Sequence, residues 1–293
     1  MKQKNSFLVV GADSLVGGGL ARALAKRGCQ YYATTRRRET LNERRIFLNF
    51  ESDEKFKVPV DVKHVFIVAA ATNYDRCETD PLAHKINVEL TPKLVDSLLQ
   101  QGVTVTFIST NSVFGGEQPW PNEDDPHAPA IAYAIQKDDA EKSILKAARE
   151  LRVENKLNIV RLTKIMEKNT SPVPSWFENW TKGISVQPFH DLIFAPMTVE
   201  FVGEALATIG EKFVSGNLHL SGADNISYVE FAIALAKKLN VDPKLITPTT
   251  ATEKGIHIAF KPRFSGLGMK RTTELTGIKP QGINDVVDYL VKK

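Results

Sequence analysis

The chain has little of what several function classes require. Its 293 residues include only two cysteines, Cys29 and Cys77. They stand in unrelated contexts without metal-ligand spacing, which argues against a disulfide framework or a metal site and suits reduced thiols. No apolar run approaches the roughly 18 residues of a membrane-spanning helix. The polar opening, Met1 to Ser6, leads straight into an apolar segment, so the expected location is cytoplasmic, with no membrane partner. Charge of one sign is missing too. Against 38 Lys plus Arg stand 34 Asp plus Glu, a formal +4 that is too small an excess to imply nucleic acid as a partner. No internal repeat or low-complexity tract is present, and 42% hydrophobic with 25% charged residues is ordinary globular composition.

What is there is a rhythm. Short apolar runs at residues 7–10, 31–34, 46–50, 65–70, 105–109 and 159–162 alternate with longer amphipathic stretches such as 15–26 and 87–101. The runs are nearly continuous in apolar character, as expected of strands buried on both faces. The predicted fold class is therefore α/β, a doubly wound parallel sheet of Rossmann type. After Leu162 the rhythm breaks at Thr170-Ser171-Pro172-Val173-Pro174, with Trp176 and Trp180 close behind. Helices are expected at 199–212, 228–239 and 283–291, and a strand at 219–221. The expected division is a dinucleotide-binding domain over residues 1–165, with about 193–218 returning to it. A smaller α/β substrate lobe would occupy 166–293.

The first strand runs into Gly11-Ala12-Asp13-Ser14-Leu15-Val16-Gly17 and then a helical pattern, the context of a dinucleotide fingerprint. Gly11 would permit the tight turn and close approach of a pyrophosphate. Gly17 would let the helix pack on the sheet, its N-terminal amides facing phosphate. Asp13, Ser14, Leu15 and Val16 complete the expected contact set, although Ser14 stands where the motif has its middle glycine. At the end of the second strand, where an NAD site carries a carboxylate, the chain reads Thr34-Thr35-Arg36-Arg37-Arg38. A guanidinium there pairs with a 2′-phosphate, so NADP is expected over NAD. Arg36 is the leading contact, Arg37 equally a contact or a solvated residue, and Arg38 a loop face. Asn49, at the end of the third strand, is a candidate for adenine.

Tyr133 and Lys137 are four residues apart and share a helix face. A nearby ammonium stabilises a phenolate and brings a tyrosine into the working range of acid–base chemistry. Thr110, at the end of the fifth strand, offers a hydroxyl to the same oxygen. Together these groups suit ketone reduction, with Tyr133 giving the proton and Lys137 holding the nicotinamide ribose.

With these segments in order, the chain resembles the extended short-chain dehydrogenase/reductases, most of all the dTDP-4-dehydrorhamnose reductase group. The matching segments are residues 11–17; Ala69-Ala70-Ala71-Thr72-Asn73 with Asp75 and Glu78; Asn87-Val88; Ser109-Thr110-Asn111-Ser112-Val113-Phe114; Glu123-Asp124-Asp125-Pro126; Tyr133 to Lys137; and Arg161-Leu162-Thr163. Further matches are Ala195-Pro196-Met197, His219-Leu220-Ser221-Gly222 and Lys261-Pro262-Arg263-Phe264-Ser265. The resemblance implies catalytic roles for Thr110, Tyr133 and Lys137 and cofactor contacts from Ala69, Ala70 and Ala71. Substrate contacts would come from Thr72, Asn111, Ser112, Lys164, Trp176 and Arg263, with Trp176 and Trp180 open between substrate wall, partner surface and core. Three positions depart from the group. Asn111 and Ser112 stand where its members have Asp and Tyr, and Lys164 stands where they have Trp. The related dehydratases place an Asp-Glu pair after the threonine, so Asn111-Ser112 argues against dehydration. Lys164 is open between a ligand contact and a solvent-facing residue. The implied function is NADP-dependent reduction of a keto group on a nucleotide-linked sugar, with no metal. Two alternatives stand beside it, an NAD-dependent epimerase and a non-catalytic regulatory subunit like that of methionine adenosyltransferase. A homodimer is left open.

Overall fold

The computed structural model describes residues 6–52 and 56–292. Its largest sheet grows from the expected apolar runs: β1 (Ser6–Val10), β2 (Gln30–Thr35), β3 (Arg45–Phe47), β4 (Val62–Ile67), β5 (Thr104–Thr110) and β6 (Leu157–Leu162). Three short strands follow, β7 (Lys164–Met166), β8 (Ile193–Phe194) and β9 (Pro196–Thr198). Then β10 (Gly216–Leu220) returns to the large sheet beside β6. The order is β10-β6-β5-β4-β1-β2-β3, and every pairing is parallel. The last short strand, β11 (Ile226–Ser227), pairs with β8.

All five residues of β1 are buried. Alternate side chains go to opposite faces, as the period of two requires. Phe7 and Val9 join one core with Leu20, Leu24, Val202 and Leu206, whereas Leu8 and Val10 join another with Val95, Leu98, Phe107 and Ile144. Each such side chain contributes about 1.5–3 kcal/mol on burial. Two helices cover the first face, α1 (Leu15–Lys26) and a late one described below. The second face is covered by the segment after β4. This segment comprises α2 (Tyr74–Thr79), α3 (Pro81–His84), a π-helical turn (Lys85–Leu90) and α4 (Thr91–Gln100), followed after β5 by α5 (Ala132–Glu150).

The remaining helices are α6 (Val173–Thr181), α7 (Val199–Lys212), α8 (Tyr228–Leu239), α9 (Lys270–Thr276) and α10 (Ile283–Val291). The late helix on the first face is α7, which lies against α1. Arg27 reaches across to Glu204 at 2.7 Å and to Glu211 at 2.6 Å. A further core unites Trp176 and Trp180 of α6 with Phe194, Phe231, Leu235, Val286 and Leu290.

Element boundaries differ from expectation in two places that matter for the site. The third strand stops at Phe47, so Asn49 lies in the following loop rather than at a strand end. The helix expected over 87–101 is regular only from Thr91, because the preceding turn is π-helical. That turn is stabilised by a side-chain clamp that no periodicity reveals. Asn87 accepts from the Ala71 N–H at 2.9 Å, and donates to the Ala71 carbonyl and to Gln136 Oε1, each at 2.9 Å.

Candidate active site

The strand order reverses direction at β1, whose chain continues through α1 to β2 on one side while β4 lies on the other. This switch point opens a crevice at the carboxyl ends of the strands. Two adjoining cavities occupy it. The smaller, about 320 Å³, is lined by Gly11, Asp13, Arg36, Asn49 and the loop Ala69 to Thr72. The larger, about 530 Å³, is lined by Thr110, Asn111, Tyr133, Lys137, Lys164 and aromatic side chains. Ser14, Val68, Ala70 and Thr72 line both, so the two form one groove.

The glycine turn forms one wall. Gly11 has φ +92°, and a Cβ there would come within 2.7 Å of the Ala69 nitrogen. A Cβ on Gly17 would stand 2.2 Å from the Gly11 carbonyl oxygen, so this glycine is required by the turn itself rather than by helix–sheet packing. Ser14 caps α1. Its hydroxyl accepts from the Gly17 N–H at 3.1 Å and donates to the Gly11 carbonyl at 2.8 Å. A hydroxyl thus ties the turn where the motif would have an open glycine. The cradle at Gly11, the helix N-terminus behind it and the continuous groove fit an extended dinucleotide.

The arginines after β2 diverge. Arg36 is exposed and lines the smaller cavity. Arg37 does not line it; its Nη2 is 2.7 Å from Asp13 Oδ1, to which Arg45 Nη2 also donates at 2.6 Å. Thr35 Oγ1 donates to the other Asp13 oxygen at 2.6 Å. The Arg37 hydrogen bond above all, with Thr35 and Arg45, holds the Asp13 carboxyl down to about 2. Arg38 stacks 3.9 Å over the Phe47 ring. Asn49 lines the cavity, its side-chain oxygen accepting from the Glu51 N–H at 3.1 Å.

At the other end, β5 delivers Thr110 and α5 delivers Tyr133 and Lys137. Thr110 Oγ1 shares a hydrogen with Ser112 Oγ at 2.9 Å and caps the short 3₁₀ turn that follows. Lys137 is buried, its Nζ donating to the Ile108 carbonyl at 2.7 Å and lying 3.9 Å from the Phe107 ring centre. Burial lowers Lys137 to about 7, opposed by the charge of Glu141 one turn along the helix. Burial also pushes the Tyr133 phenol well above its ordinary range, with Tyr74 and Cys77 adding, while the Thr110 hydroxyl pulls the other way. Tyr133 therefore keeps its proton at neutral pH.

Behind this pair lies a buried ion pair. Arg161 of β6 and Glu141 of α5, each 1% exposed, meet at 2.7 Å. Arg161 also donates to the Glu123 carbonyl at 2.9 Å and meets His219 Nε2 at 3.2 Å. His219 Nδ1 is 2.9 Å from the Gly268 carbonyl, which can only accept. The proton therefore sits on Nδ1, and Nε2 accepts from Arg161.

Several expected substrate contacts are placed differently. Thr72, Asn111 and Lys164 line the larger cavity, Lys164 at its accessible rim. Asn111 also donates to the Ser265 carbonyl at 2.8 Å, tying β5 to a loop of the second half of the chain. Ser112 is buried and turned toward Thr110 instead of the cavity, because the 3₁₀ turn rotates it inward. Trp176 is 5% exposed in the core beside Trp180 and Phe231, so it is a packing residue. Arg263 is exposed, lies over the Phe264 ring and is not among the lining side chains. The residues missed by sequence reasoning are Tyr74, Phe194 and Tyr228. Phe194 stacks on Tyr228 at 4.4 Å, and Tyr74 lies 5.4 Å from the Tyr133 ring. All three line the larger cavity, where the charged residues are Lys137 and Lys164 and no carboxylate occurs among the described residues.

Comparison with known proteins places the fold among known relatives. The model of the RmlD substrate binding domain matches residues 5–293. A probable dTDP-4,6-dihydroxy-2-methyloxan-3-one 4-ketoreductase of Streptomyces antibioticus is 27% identical over 217 residues, covering 72% of this chain and 71% of that one. Methionine adenosyltransferase 2 subunit beta of Pongo abelii is 26% identical over 204 residues, 64% of this chain and 58% of that one. Among solved structures, dTDP-4-dehydrorhamnose reductase from Bacillus anthracis, in complex with NADP, superposes with a TM-score of 0.78. It is 20% identical and covers 98% of this chain and 99% of that one.

Proposed function

Because this chain belongs to the RmlD substrate binding domain family, of extended short-chain dehydrogenase/reductase type, we propose that it reduces a keto group on a nucleotide-linked sugar. A reduced nicotinamide cofactor is the hydride source, and Arg36, which lines the smaller cavity, is placed to meet the 2′-phosphate when that cofactor is NADPH. The observation that carries the reading is the meeting of Thr110, Tyr133 and Lys137 in a carboxylate-free cavity that continues into the glycine turn. A bound nicotinamide supplies hydride to the carbonyl carbon. Tyr133 gives its phenolic proton to the carbonyl oxygen as charge develops there, and solvent returns the proton afterwards. Burial suits this direction of reaction, because it keeps the phenol protonated until a stronger base, the nascent alkoxide, faces it. The Lys137 ammonium offsets the phenolate left behind and has donors to spare beyond the Ile108 carbonyl for a ribose hydroxyl. Thr110 steadies the carbonyl oxygen. Lys164 at the rim and the Tyr74, Phe194 and Tyr228 wall suit an anionic nucleotide carrying a sugar.

The test is titration with NADPH and NADH, followed by NADPH oxidation against a panel of keto-sugar nucleotides. Tyr133→Phe should retain cofactor binding and lose on the order of 10²–10⁴ in rate. Arg36→Ala should weaken NADPH more than NADH by about 1.5–3 kcal/mol. Failure of both cofactors to bind would refute the reading. A second reading, a regulatory subunit without turnover, is favoured by the methionine adenosyltransferase subunit match and by Ser14 closing the glycine turn. Cofactor binding with no turnover on any substrate would support it.

A further inference from the structure

The adenosine end of the groove holds a carboxylate where a second phosphate-binding cation would serve NADPH. Asp13 lines the smaller cavity from within the glycine turn, and it turns Arg37 and Arg45 toward itself. Both of its oxygens are engaged, Oδ1 by the two guanidiniums and Oδ2 by Thr35 and the Arg37 Nε. Among the described residues, the cations that line the cavity are Arg36 and Arg76. Arg76 is already paired with Asp80 at 2.6 Å on its own helix segment. Glu51 lines the same cavity, and Arg36 is the lining arginine without an acidic partner among the described residues. A 2′-phosphate carrying nearly two negative charges would find both guanidiniums beside Asp13 already committed and be left to Arg36, whereas a ribose hydroxyl needs no cation.

Resting on the reductase reading above, we propose that Asp13 sets cofactor choice. By sequestering Arg37 and Arg45 it leaves the 2′-phosphate to Arg36, so NADH and NADPH bind with similar affinity. Arg37 and Arg45 stand outside the cavity and are held against its wall by Asp13, so removing the carboxylate frees two guanidiniums to turn into it and converts the site to one selective for NADPH. The run of arginines after β2 is then a latent phosphate site, restrained by one residue of the preceding turn.

The experiment is equilibrium titration of the full chain with NADH and with NADPH, read by nicotinamide fluorescence, for the wild type, Asp13→Asn and Asp13→Asn/Arg36→Ala. Wild-type dissociation constants for the two cofactors should agree within about tenfold. Asp13→Asn should tighten NADPH on the order of tenfold, the weight of one charge-assisted hydrogen bond, with NADH unchanged or weaker. The double variant should keep a preference for NADPH, because Arg37 and Arg45 then hold the phosphate. An unchanged cofactor ratio in Asp13→Asn overturns the proposal, as does a wild type that discriminates more than about a hundredfold. Asp13→Ser repeats the comparison if the asparagine variant is misfolded by circular dichroism. Tight binding of both cofactors with an unaltered ratio refutes this proposal alone. Binding of neither to the wild type refutes the reductase reading beneath it.

Discussion

Replacing Glu141 by Gln would remove one charge from a pair that has no solvent to fall back on. Its carboxylate accepts from Arg161 Nε at 3.2 Å on both oxygens and from Nη2 at 2.7 Å, and each side chain is 1% exposed. Breaking such a pair leaves an uncompensated buried cation and costs about 3–5 kcal/mol. The amide retains one acceptor, so the lower end of that range is expected, still a sizeable part of a total stability of about 5–15 kcal/mol. Arg161→Met should cost more, because the Glu123 carbonyl and His219 Nε2 also lose their donor. Glu141→Leu combined with Arg161→Met should be less damaging than Arg161→Met alone, since no bare charge remains. Urea unfolding read by tryptophan fluorescence measures all three. A loss below about 1 kcal/mol in Glu141→Gln, or a double variant no more stable than Arg161→Met alone, would refute the reasoning. A separate consequence reaches the active site. Glu141 raises the Lys137 pKa against burial, so its removal should move the alkaline limb of the pH profile to lower pH.

The sign of that limb follows from Lys137 at about 7: the ammonium is present below this pH and lost above it. Thus kcat/KM should fall as pH rises through about 7, and Lys137→Arg should abolish the limb whatever its effect on rate; a flat wild-type profile from pH 5 to 9 would contradict it. Gly17→Ala places a methyl 2.2 Å from the Gly11 carbonyl oxygen, and overpacking of this kind costs about 1–3 kcal/mol. Its cofactor affinity should fall as the turn opens, which titration with NADPH checks. Trp176→Ala should lose about 3–5 kcal/mol in chemical unfolding, as for other buried aromatics. A selective rise in KM with full stability would instead restore Trp176 to the substrate wall.

Local pattern carried the parts of the site that depend on neighbouring residues. Tyr133 and Lys137 share a helix face because of a four-residue spacing. Thr110 and Gly11 stand at strand ends because apolar runs stop there. Ser112 escapes the pattern because a 3₁₀ turn after β5 rotates it inward, and one turn of that kind has no periodicity to announce it. Trp176 stays open in the sequence for a different reason: an aromatic beside a proline-rich break suits a ligand wall and a lobe core equally well until its neighbours are known.

The alternation of buried strands and amphipathic helices was determined by the order of residues alone, since backbone geometry imposes periods of two and 3.6 on any chain that buries one face. So were the chemical groups available for hydride and proton transfer. Which charges meet was decided in three dimensions. Asp13 and Arg45 are 32 positions apart, Glu141 and Arg161 20 apart, and both pairs depend on parallel strand register and helix packing. Electrostatic partnership falls off with distance through space and grows in a dry interior, neither of which is a property of position along the chain. For that reason the arginines after β2 announced a phosphate site, and only the folded turn showed a carboxylate holding one of them.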